Sequence, residues 1–365
     1  MGKRIVFTGG GTGGHVFPGL AVAEMLQLDG TYELMWMGSC RGIEYEIVRR
    51  WNIPFCSIPA GKLRRYFSWQ NVLDVFRVAA GFIASLFRFV LHRPALVFSK
   101  GGYVTVPPVY AARMLGIPVI THDSDVDPGL ATRLNAKVAT AICVPYEQSV
   151  QYFPSRLRSR IIVTGNPVRA EISVGDPQRF YERSSLRRDL PLVFVQGGSQ
   201  GAEELNRLLL PILPDLLPIC VVVHQTGAAG RAASQQFLAD NPQLKNCYYC
   251  ADFFTDEYAD ILQAATLSVS RAGAGSLWEL AASNTPGIIL PLVVGSRGDQ
   301  VRNAEVFAAM GMITVLNSEE RNSRMLRQKI IGLLNNSDRL HSMRASAGAF
   351  QGGARHLADV CRGLL

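Results

Sequence analysis

The sequence predicts an α/β protein made of two doubly wound, parallel-sheet domains. Continuous apolar runs alternate with helical stretches along the chain, which is the pattern of strands buried on both faces between helices. Two glycine-rich turns, at residues 9–15 and 197–201, each follow such a run about half a chain apart. A length of 365 residues is sufficient for two domains that each bury a core.

The first half of the chain contains a regular series of predicted elements. Apolar runs predict strands over residues 4–8, 33–37, 55–58, 96–99, 118–122, 141–144 and 161–164, and helices over 18–28, 42–50, 106–115 and 129–137. Residues 165–167 and the arginine-rich stretch after them lack apolar periodicity, so we place the domain boundary there. The first domain is therefore predicted to span residues 1–164.

The second half repeats the alternation. Strands are predicted over residues 192–196, 220–224, 267–270 and 287–290, with helices from 203 onward, over 232–238, 276–283 and 300–310, and after 323. The second domain is predicted to span residues 165–340. A closing helical segment, residues 341–365 with a helix over 354–364, is expected to pack back on the first domain. Right-handed crossovers would make both sheets doubly wound.

The composition is that of a basic globular protein. The net charge of +8 and the isoelectric point near 9.2 indicate attraction to anions, among which nucleic acid, anionic lipid and phosphorylated substrates all qualify. No signal peptide precedes the first predicted strand, so we expect the protein to stay in the cytoplasm. The seven scattered cysteines predict free thiols, and the CxxC spacing of Cys247 and Cys250 has no second Cys/His pair to complete a metal site.

A basic and apolar segment, residues 61–93, interrupts the alternation. Its charged residues are Lys62, Arg64, Arg65, Asp74, Arg77, Arg88 and Arg93. They interrupt the run of about 20 apolar residues that a transmembrane helix needs. We expect a helix that lies in the interface of an anionic membrane, and the alternative is a core helix whose arginines reach solvent.

The first glycine-rich turn, Gly-Gly-Gly-Thr-Gly-Gly-His at residues 9–15, is like a dinucleotide fingerprint only in outline. The acidic residue that should close the second strand is absent, because Met37 and Gly38 stand there. His15 instead lies at the mouth of the next helix, followed by Pro18, which a first helical turn tolerates. The positive end of a helix disfavours the imidazolium form, so His15 is a candidate base, and a structural histidine is the alternative.

Two helix N-termini of the second domain are predicted to point into one crevice. One follows the turn at residues 197–202, and the other opens within residues 271–279. Their backbone N–H groups suit a diphosphate. Glu279, about one turn into its helix, is placed to accept two ribose hydroxyls, or else only offsets the helix dipole. The polar residues 299–304 follow the next strand, where sugar hydroxyls need partners.

Taken together, these motifs resemble those of the MurG family of glycosyltransferases. The matching segments are residues 10–21, 101–104, 165–169, 197–202 and 270–274, with Glu279, Gln300, Asn303 and Ala304. The resemblance implies a GT-B fold, in which two Rossmann-like domains face a central cleft. It implies transfer of N-acetylglucosamine from UDP-N-acetylglucosamine to lipid I, which forms lipid II. It also implies docking of residues 61–93 on the cytoplasmic face of the plasma membrane, and no nucleic acid partner.

The resemblance further implies roles for individual residues, with His15 as the base. UDP-sugar binding falls on Thr12, Gly13, Gly14, Asp125, Arg169, Ser199, Phe254, Ala274, Gly275, Ser276, Leu277, Trp278, Glu279 and Gln300. Acceptor binding falls on Gly101, Gly102, Tyr103 and Val104. In this scheme Glu279 holds the ribose, the Phe254 backbone meets uracil, and Ser199 with the amides of residues 274–277 holds the diphosphate.

The sequence departs from the family pattern at two positions. The family has His-Glu-x-Asn after the fifth strand, whose Asn meets the donor sugar, whereas residues 122–125 are His-Asp-Ser-Asp. An ionised Asp125 accepts hydrogen bonds but does not donate them. Asp299, next to Gln300, is a second acid near the same sugar hydroxyls. Any change in sugar recognition is therefore expected here.

The implied reaction is an inverting transfer in which helix N-termini stabilise the leaving UDP, so we expect no metal or other cofactor. Two alternatives stay open. A UDP-sugar 2-epimerase of the same fold would need acids around the sugar, and Asp123, Asp125 and Asp299 are available. A non-catalytic nucleotide-sugar-binding protein at the membrane is the second alternative.

Overall fold

Two parallel β-sheets organise the chain. The structure is a computed structural model that describes residues 2–61, 69–197, 203–293, 298–348, 350 and 352–365. The chain divides into unit 1, Met1–Arg169 with Gly352–Leu365, and unit 2, Ala170–Gln351. Each unit has one sheet, and all strand pairs of both sheets are parallel.

Unit 1 is built on a sheet whose described residues form seven strands in the order β3-β2-β1-β4-β5-β6-β7. The strands are β1 (Lys3–Thr8), β2 (Tyr32–Gly38), β3 (Phe55–Ser57), β4 (Leu96–Ser99), β5 (Val119–His122), β6 (Ala141–Val144) and β7 (Ile161–Val163). The helices between them are α1 (Phe17–Gln27), α2 (Ile43–Arg50), α3 (Trp69–Leu91), α4 (Val106–Met114) and α5 (Leu130–Ala136). The predicted alternation of this half is confirmed.

Unit 2 repeats this architecture with a six-stranded sheet, counted over the described residues, in the order β10-β9-β8-β11-β12-β13. The strands are β8 (Leu192–Gln196), β9 (Val221–Gln225), β10 (Tyr248–Ala251), β11 (Leu267–Ser270), β12 (Gly287–Ile289) and β13 (Ile313–Val315). The helices are α6 (Pro177–Ser184), α7 (Glu203–Leu209), α8 (Leu213–Leu216), α9 (Gly227–Asp240), α10 (Tyr258–Ala264), α11 (Ala274–Ala282), α12 (Asp299–Ala309), α13 (Ser323–Leu334) and α14 (Ser337–Ala347). The last helix of the chain, α15 (Ala354–Gly363), belongs to unit 1.

The two outer strands of unit 2, β10 and β13, are absent from the predicted elements. Both lie at sheet edges and are only partly buried. An edge strand has one unpaired side and needs fewer apolar residues than a central strand, so its sequence signal is weak. The prediction of four strands in this half was therefore incomplete.

Side chains alternate between the two faces of the unit 1 sheet. Ile5 and Phe7 of β1 pack in a core with α1 and α15, which contribute Leu20 and Leu357. Val6, between them, packs in a second core on the opposite face. Both faces of the strand are therefore buried, as its continuous apolar sequence requires.

Helix α3 has one face in this second core and another that is exposed. Phe89 and Ser85 are buried, and the Ser85 hydroxyl donates to the Gly81 carbonyl (2.7 Å). Asp74 is also buried and pairs with Arg77 (2.9 Å). Among the described residues, no helix combines the length and apolar character needed to cross a membrane. Lys62, Arg64 and Arg65 lie outside the described residues.

A buried histidine connects two elements of unit 2. His224 of β9 contacts the Tyr248 hydroxyl through Nδ1 (2.8 Å) and Asn206 Oδ1 of α7 through Nε2 (2.9 Å). Because the amide oxygen only accepts, Nε2 carries the proton and Nδ1 accepts from Tyr248. Asn206 in turn donates to the Thr226 carbonyl (2.8 Å). The network fixes the helix that follows the second glycine-rich turn.

Acid is expected to destabilise the protein through His224. Burial lowers the pKa of His224 from 6.5 to about 3, so below pH 6.5 the unfolded chain binds a proton that the folded chain does not. The free energy of unfolding therefore falls as the pH decreases from 6.5 toward 3, by at most about 1.4 kcal/mol per pH unit. Chemical denaturation of the wild type and of His224→Gln between about pH 7 and about pH 4 measures this effect. The stability difference between the two proteins should shrink on acidification, and a constant difference contradicts the assignment.

Candidate active site

The carboxyl ends of β1 and β4 form the centre of the unit 1 site. These strands are neighbours, and the chain leaves them toward opposite edges of the sheet, β1 toward β2 and β4 toward β5. Ligands of doubly wound folds bind at such a switch point. The turn of residues 9–15 follows β1, and residues 100–104 follow β4, so Thr12–His15 and Gly101–Val104 come together here as two adjoining turns.

The two turns can touch because glycines stand at the points where their backbones meet. A Cβ atom on Gly102, where φ is +84°, would lie 2.3 Å from the Gly10 carbonyl oxygen. A Cβ atom on Gly10 would lie 2.5 Å from the carboxyl carbon of Glu44, which is fully buried on α2. The Glu44 carboxylate accepts hydrogen bonds from Gly11 N (3.1 Å) and Ser39 N (3.0 Å). The buried Glu44 carboxylate therefore fixes the first turn by hydrogen bonding to its backbone.

His15 ends the first turn and precedes α1. A Cβ on Gly101 would lie 3.6 Å from His15 Nδ1, and one on Gly102 would lie 3.2 Å from His15 Cδ2. The imidazole therefore packs over the Gly101–Gly102 backbone and is half-buried. Tyr103 lies close by, since a Cβ on Gly11 would come within 3.0 Å of its ring. Burial, and to a lesser degree Glu44, raises the pKa of Tyr103.

Lys100 is a buried cation directly after β4. Its ammonium donates to Ser124 Oγ (2.6 Å), and the Ser124 hydroxyl donates to Asn166 Oδ1 (2.8 Å). This chain of hydrogen bonds joins the ends of β4, β5 and β7. Burial lowers the pKa of Lys100 to about 8, while the carboxylates of Asp123 and Asp125 act in the opposite direction.

The two acids beside Lys100 differ in what they bind. The buried Asp123 carboxylate accepts from the backbone N–H groups of Asp125 (3.2 Å) and Gly129 (2.9 Å), which orders the loop before α5. Asp125 is half-buried in the same loop. His122, at the end of β5, donates through Nε2 to the Gly165 carbonyl (3.1 Å), and burial keeps its pKa well below 6.5.

Arg169 is the last residue of unit 1, and its guanidinium lies over an aromatic ring. The guanidinium carbon is 5.1 Å from the ring centre of Phe17, the first residue of α1. This is within the range of a cation–π contact. Arg169 therefore lies beside the start of the helix that follows His15.

The unit 2 site is formed around the start of α11. Helix geometry leaves the amides of the first turn, Ala274 to Ser276, without carbonyl partners inside the helix. Leu277 N instead donates to the Gly273 carbonyl (3.0 Å), so its amide belongs to the helical ladder and is not a free anion donor. The Trp278 side chain is buried, with its ring centre 5.4 Å from that of Phe350.

Three further residues of the predicted donor site lie in the described part of unit 2. Glu279 Oε2 is 2.9 Å from the hydroxyl of Tyr258. Phe254 is buried, and its N–H donates to Gln225 Oε1 (3.1 Å). Gln300, in the first turn of α12, accepts from Leu292 N (2.9 Å). Ser199 and the rest of its turn, residues 198–202, lie outside the described residues.

Comparison with known proteins identifies the family. Residues 5–144 match the glycosyltransferase family 28 N-terminal domain, and residues 192–359 match the family 28 C-terminal domain. A Treponema denticola protein named UDP-N-acetylglucosamine--N-acetylmuramyl-(pentapeptide) pyrophosphoryl-undecaprenol N-acetylglucosamine transferase is 46% identical over 331 residues, which cover 87% of this chain and 85% of that one. A Borreliella burgdorferi protein of the same name is 35% identical over 95% of this chain and 93% of its own.

The chain belongs to the MurG family of glycosyltransferases. A solved structure of MurG from Acinetobacter baumannii is 27% identical, covers 99% of both chains and superposes with a TM-score of 0.76. A UDP-GlcNAc 2-epimerase from Neisseria meningitidis also superposes, with a TM-score of 0.68, but at 14% identity this likeness concerns the fold alone. The predicted GT-B fold class, with two Rossmann-like parallel-sheet units, is confirmed.

Four residues of this MurG family member are absent from the predicted site although the structure places them in it. Lys100 and Glu44 support the turns of unit 1. In unit 2, the Tyr258 hydroxyl contacts both the Glu279 carboxylate and the Gln196 side chain. Only Lys100 carried a local signal, because a lysine directly after an apolar strand and before two glycines is unusual for a buried position. The contacts of the others depend on partners far away in the sequence.

The described residues contain no group of three or more His, Cys, Asp or Glu side chains arranged to hold a metal ion. Cys247 and Cys250 are both free thiols, like the other five cysteines. Cys247 directly precedes the edge strand β10, and Cys250 lies in it.

We expect Lys100 and Asp125 to be energetically coupled. Lys100→Met removes a positive charge that interacts with the carboxylates of Asp123 and Asp125, so this substitution should cost less stability when Asp125 is already neutral as Asn. A double-mutant cycle of unfolding free energies should give a coupling of about 0.5 to 3 kcal/mol. Lys245→Met, at an exposed lysine of unit 2, should combine additively with Asp125→Asn. If Lys100→Met and Asp125→Asn have additive effects on the unfolding free energy, the expected electrostatic coupling is absent.

Proposed function

We propose that this protein transfers N-acetylglucosamine from UDP-N-acetylglucosamine to lipid I, the undecaprenyl-diphosphate-linked muramyl peptide, and so forms lipid II for peptidoglycan synthesis. The observation that carries the proposal is the close relationship, at 35–46% identity over most of both chains, to transferases whose printed names state this donor and acceptor. The geometry of each unit agrees with this activity.

In the proposed complex, unit 2 binds the donor mainly through α11. The first-turn amides of Ala274, Gly275 and Ser276 would face the diphosphate, together with Ser199 from the glycine-rich sequence before α7. Glu279 would accept the ribose hydroxyls. The remaining proposed donor contacts are Thr12, Gly13, Gly14, Asp125, Arg169, Phe254, Trp278 and Gln300.

The proposed mechanism is a direct displacement with inversion. The acceptor hydroxyl loses its proton to the neutral imidazole of His15, and its oxygen attacks the anomeric carbon of the donor. The bond from that carbon to the diphosphate oxygen breaks, and UDP leaves with the electron pair. Amides at the start of α11 would stabilise the charge that grows on the diphosphate. Gly101, Gly102, Tyr103 and Val104 would hold the acceptor diphosphate, and His15 packs against the first two of them.

The epimerase alternative is weakened by Asp123. Its carboxylate already accepts two backbone N–H groups, at 3.2 and 2.9 Å, and so serves the loop before α5. Of the three acids that are available to this alternative, Asp123 therefore already has a structural role. The family relationship also favours the transferase over a non-catalytic nucleotide-sugar-binding protein.

We propose that α3 docks on the cytoplasmic face of the plasma membrane, where the lipid acceptor is held. Phe76, Ile83 and Phe87 lie along one exposed stripe of α3, with 69%, 65% and 64% of their surface accessible. Such an exposed apolar stripe indicates an interaction surface. Arg77 and Arg88 flank it and are exposed, so they would meet anionic headgroups.

The basic character continues at the end of α3. Arg93 donates to the Leu115 carbonyl (3.0 Å) just after α4. A cavity beside this point is lined by Arg113, Lys137 and Arg160. These cations would add to the attraction of unit 1 for an anionic surface.

Release of UDP that depends on the acceptor tests the reaction. The wild type with UDP-N-acetylglucosamine and a lipid I analogue should release UDP and form a lipid II analogue, and without acceptor it should release almost none. An isomerised sugar nucleotide would instead support the epimerase, and no product at all would support the non-catalytic binding protein. Either outcome contradicts the proposed function.

His15→Ala should lower turnover by about a hundredfold or more, because proton removal from the acceptor is lost, while donor affinity stays nearly unchanged. Steady-state kinetics and calorimetric UDP binding measure the two quantities. His341→Ala, an exposed histidine of α14, is the matched control and should behave as the wild type. Unchanged turnover of His15→Ala removes His15 from the mechanism.

Replacing Ile83 and Phe87 by Ser should weaken binding to anionic vesicles, because apolar surface that enters the interface is lost. Arg77→Gln with Arg88→Gln should weaken it mainly at low salt. Vesicle co-sedimentation measures both effects. Val174→Ser, at a residue of unit 2 that is 76% exposed, is the control and should leave binding intact. Equal loss in the control would show that the stripe has no special role.

A further inference from the structure

The Tyr258 hydroxyl is buried between two parts of the donor site. Tyr258 is the first residue of α10, and 7% of its surface is accessible. Its hydroxyl oxygen lies 2.9 Å from Gln196 Oε1 and 2.9 Å from Glu279 Oε2. Gln196 ends β8, immediately before the second glycine-rich turn, and Glu279 lies on α11. One hydroxyl therefore bridges the two segments expected to hold the donor.

The number of available protons decides which group donates in each of these two hydrogen bonds. A phenol has one proton and cannot donate to two acceptors at once. The Gln196 side chain is buried, and its Nε2 has no hydrogen-bond partner within the part of the chain that the structure describes. An amide turned by 180° occupies the same space, and it then donates from Nε2 to the Tyr258 oxygen. The Tyr258 proton is then directed to the Glu279 carboxylate, and the Tyr258 oxygen accepts from Gln196.

The ring that carries this hydroxyl is held firmly. Its centre lies 5.9 Å from that of Phe194 in an edge-to-face contact. Two residues along α10, the buried Asp260 carboxylate accepts from Asp176 N (2.7 Å) and Arg179 Nε (2.6 Å). These hydrogen bonds fasten α10 to α6 and the segment before it. The hydroxyl is thus set in place by its own scaffold before any ligand binds.

We propose that Tyr258 is a positioning residue that orients the Glu279 carboxylate toward the ribose of the donor, and that Gln196 directs the Tyr258 proton to it. This rests on the proposed function of Glu279 as the ribose acceptor. A carboxylate with one oxygen held by the phenol has its remaining lone pairs aimed in a defined direction. The site is thereby made selective for a ribonucleoside diphosphate over a 2′-deoxy one.

The experiment compares UDP and 2′-deoxy-UDP as ligands of the full chain without acceptor. Tyr258→Phe keeps the ring packing and removes only the hydroxyl. We expect its Kd for UDP to rise about tenfold, the size of one hydrogen bond to a charged group, and its Kd for 2′-deoxy-UDP to rise much less. In the transfer assay, KM for UDP-N-acetylglucosamine should rise while kcat stays nearly constant. An equal rise for both ligands, or none, overturns the proposal.

A cycle with Glu279→Ala tests whether Tyr258 acts through the carboxylate. Tyr258→Phe should have no further effect on UDP affinity in that background, and an undiminished effect overturns the proposal. Gln196→Glu places a second acceptor beside the hydroxyl, so it should also weaken UDP binding. Tyr249→Phe is the matched control, because the Tyr249 hydroxyl contacts the Glu257 carboxylate (3.4 Å) elsewhere in unit 2. It should leave both affinities unchanged.

Thermal unfolding of each variant verifies that it folds. Failure of this inference and failure of the proposed function are distinguishable. UDP binding with acceptor-dependent transfer, but without the Tyr258→Phe discrimination, overturns the inference alone. Discrimination between UDP and 2′-deoxy-UDP without any transfer to lipid I supports the inference and contradicts the proposed reaction. Absence of UDP binding to the wild type overturns both.

Discussion

The close approach of two backbone turns is the constraint on which the unit 1 site depends. A Cβ atom on Gly102 would lie 2.3 Å from the Gly10 carbonyl oxygen, so only glycine allows the turns after β1 and β4 to meet. The same contact lays His15 against the Gly101–Gly102 backbone. Glu44 stabilises this arrangement through the hydrogen bonds that its carboxylate accepts from Gly11 and Ser39. Burial of the carboxylate without these hydrogen bonds would cost free energy of folding.

Buried polar chains at strand ends serve both units in the same way. The interior of a parallel sheet is apolar, so polar side chains collect at its carboxyl edge, where loops supply partners. In unit 1, Lys100 and Ser124 join three strand ends. In unit 2, Tyr258 joins β8 to α11, and His224 joins β9 to α7. The hydrogen bonds of Tyr258 thereby hold α11, on which the proposed contacts Ala274 and Glu279 lie.

The central strands and the first glycine-rich turn could be predicted from sequence because their signals are local. All four residues of β4 are buried, and its apolar run ends sharply at Lys100. The edge strands β10 and β13 could not, since they are only partly buried. Lys100, Gln196 and Tyr258 were missed as a site because their partners are remote: Tyr258 is 62 residues from Gln196 and 21 from Glu279.

The order of residues alone was enough for the α/β class, for the first glycine-rich turn and for the family. An apolar run predicts that a segment is buried, and a glycine cluster predicts that the backbone turns sharply there. Neither states which strand becomes the neighbour. Tertiary packing placed β4 beside β1, although the paired residues Ile5 and Leu96 are 91 residues apart in the sequence. Hydrogen bonds act only over about 3 Å, so the pairing of strands settled which buried polar groups meet.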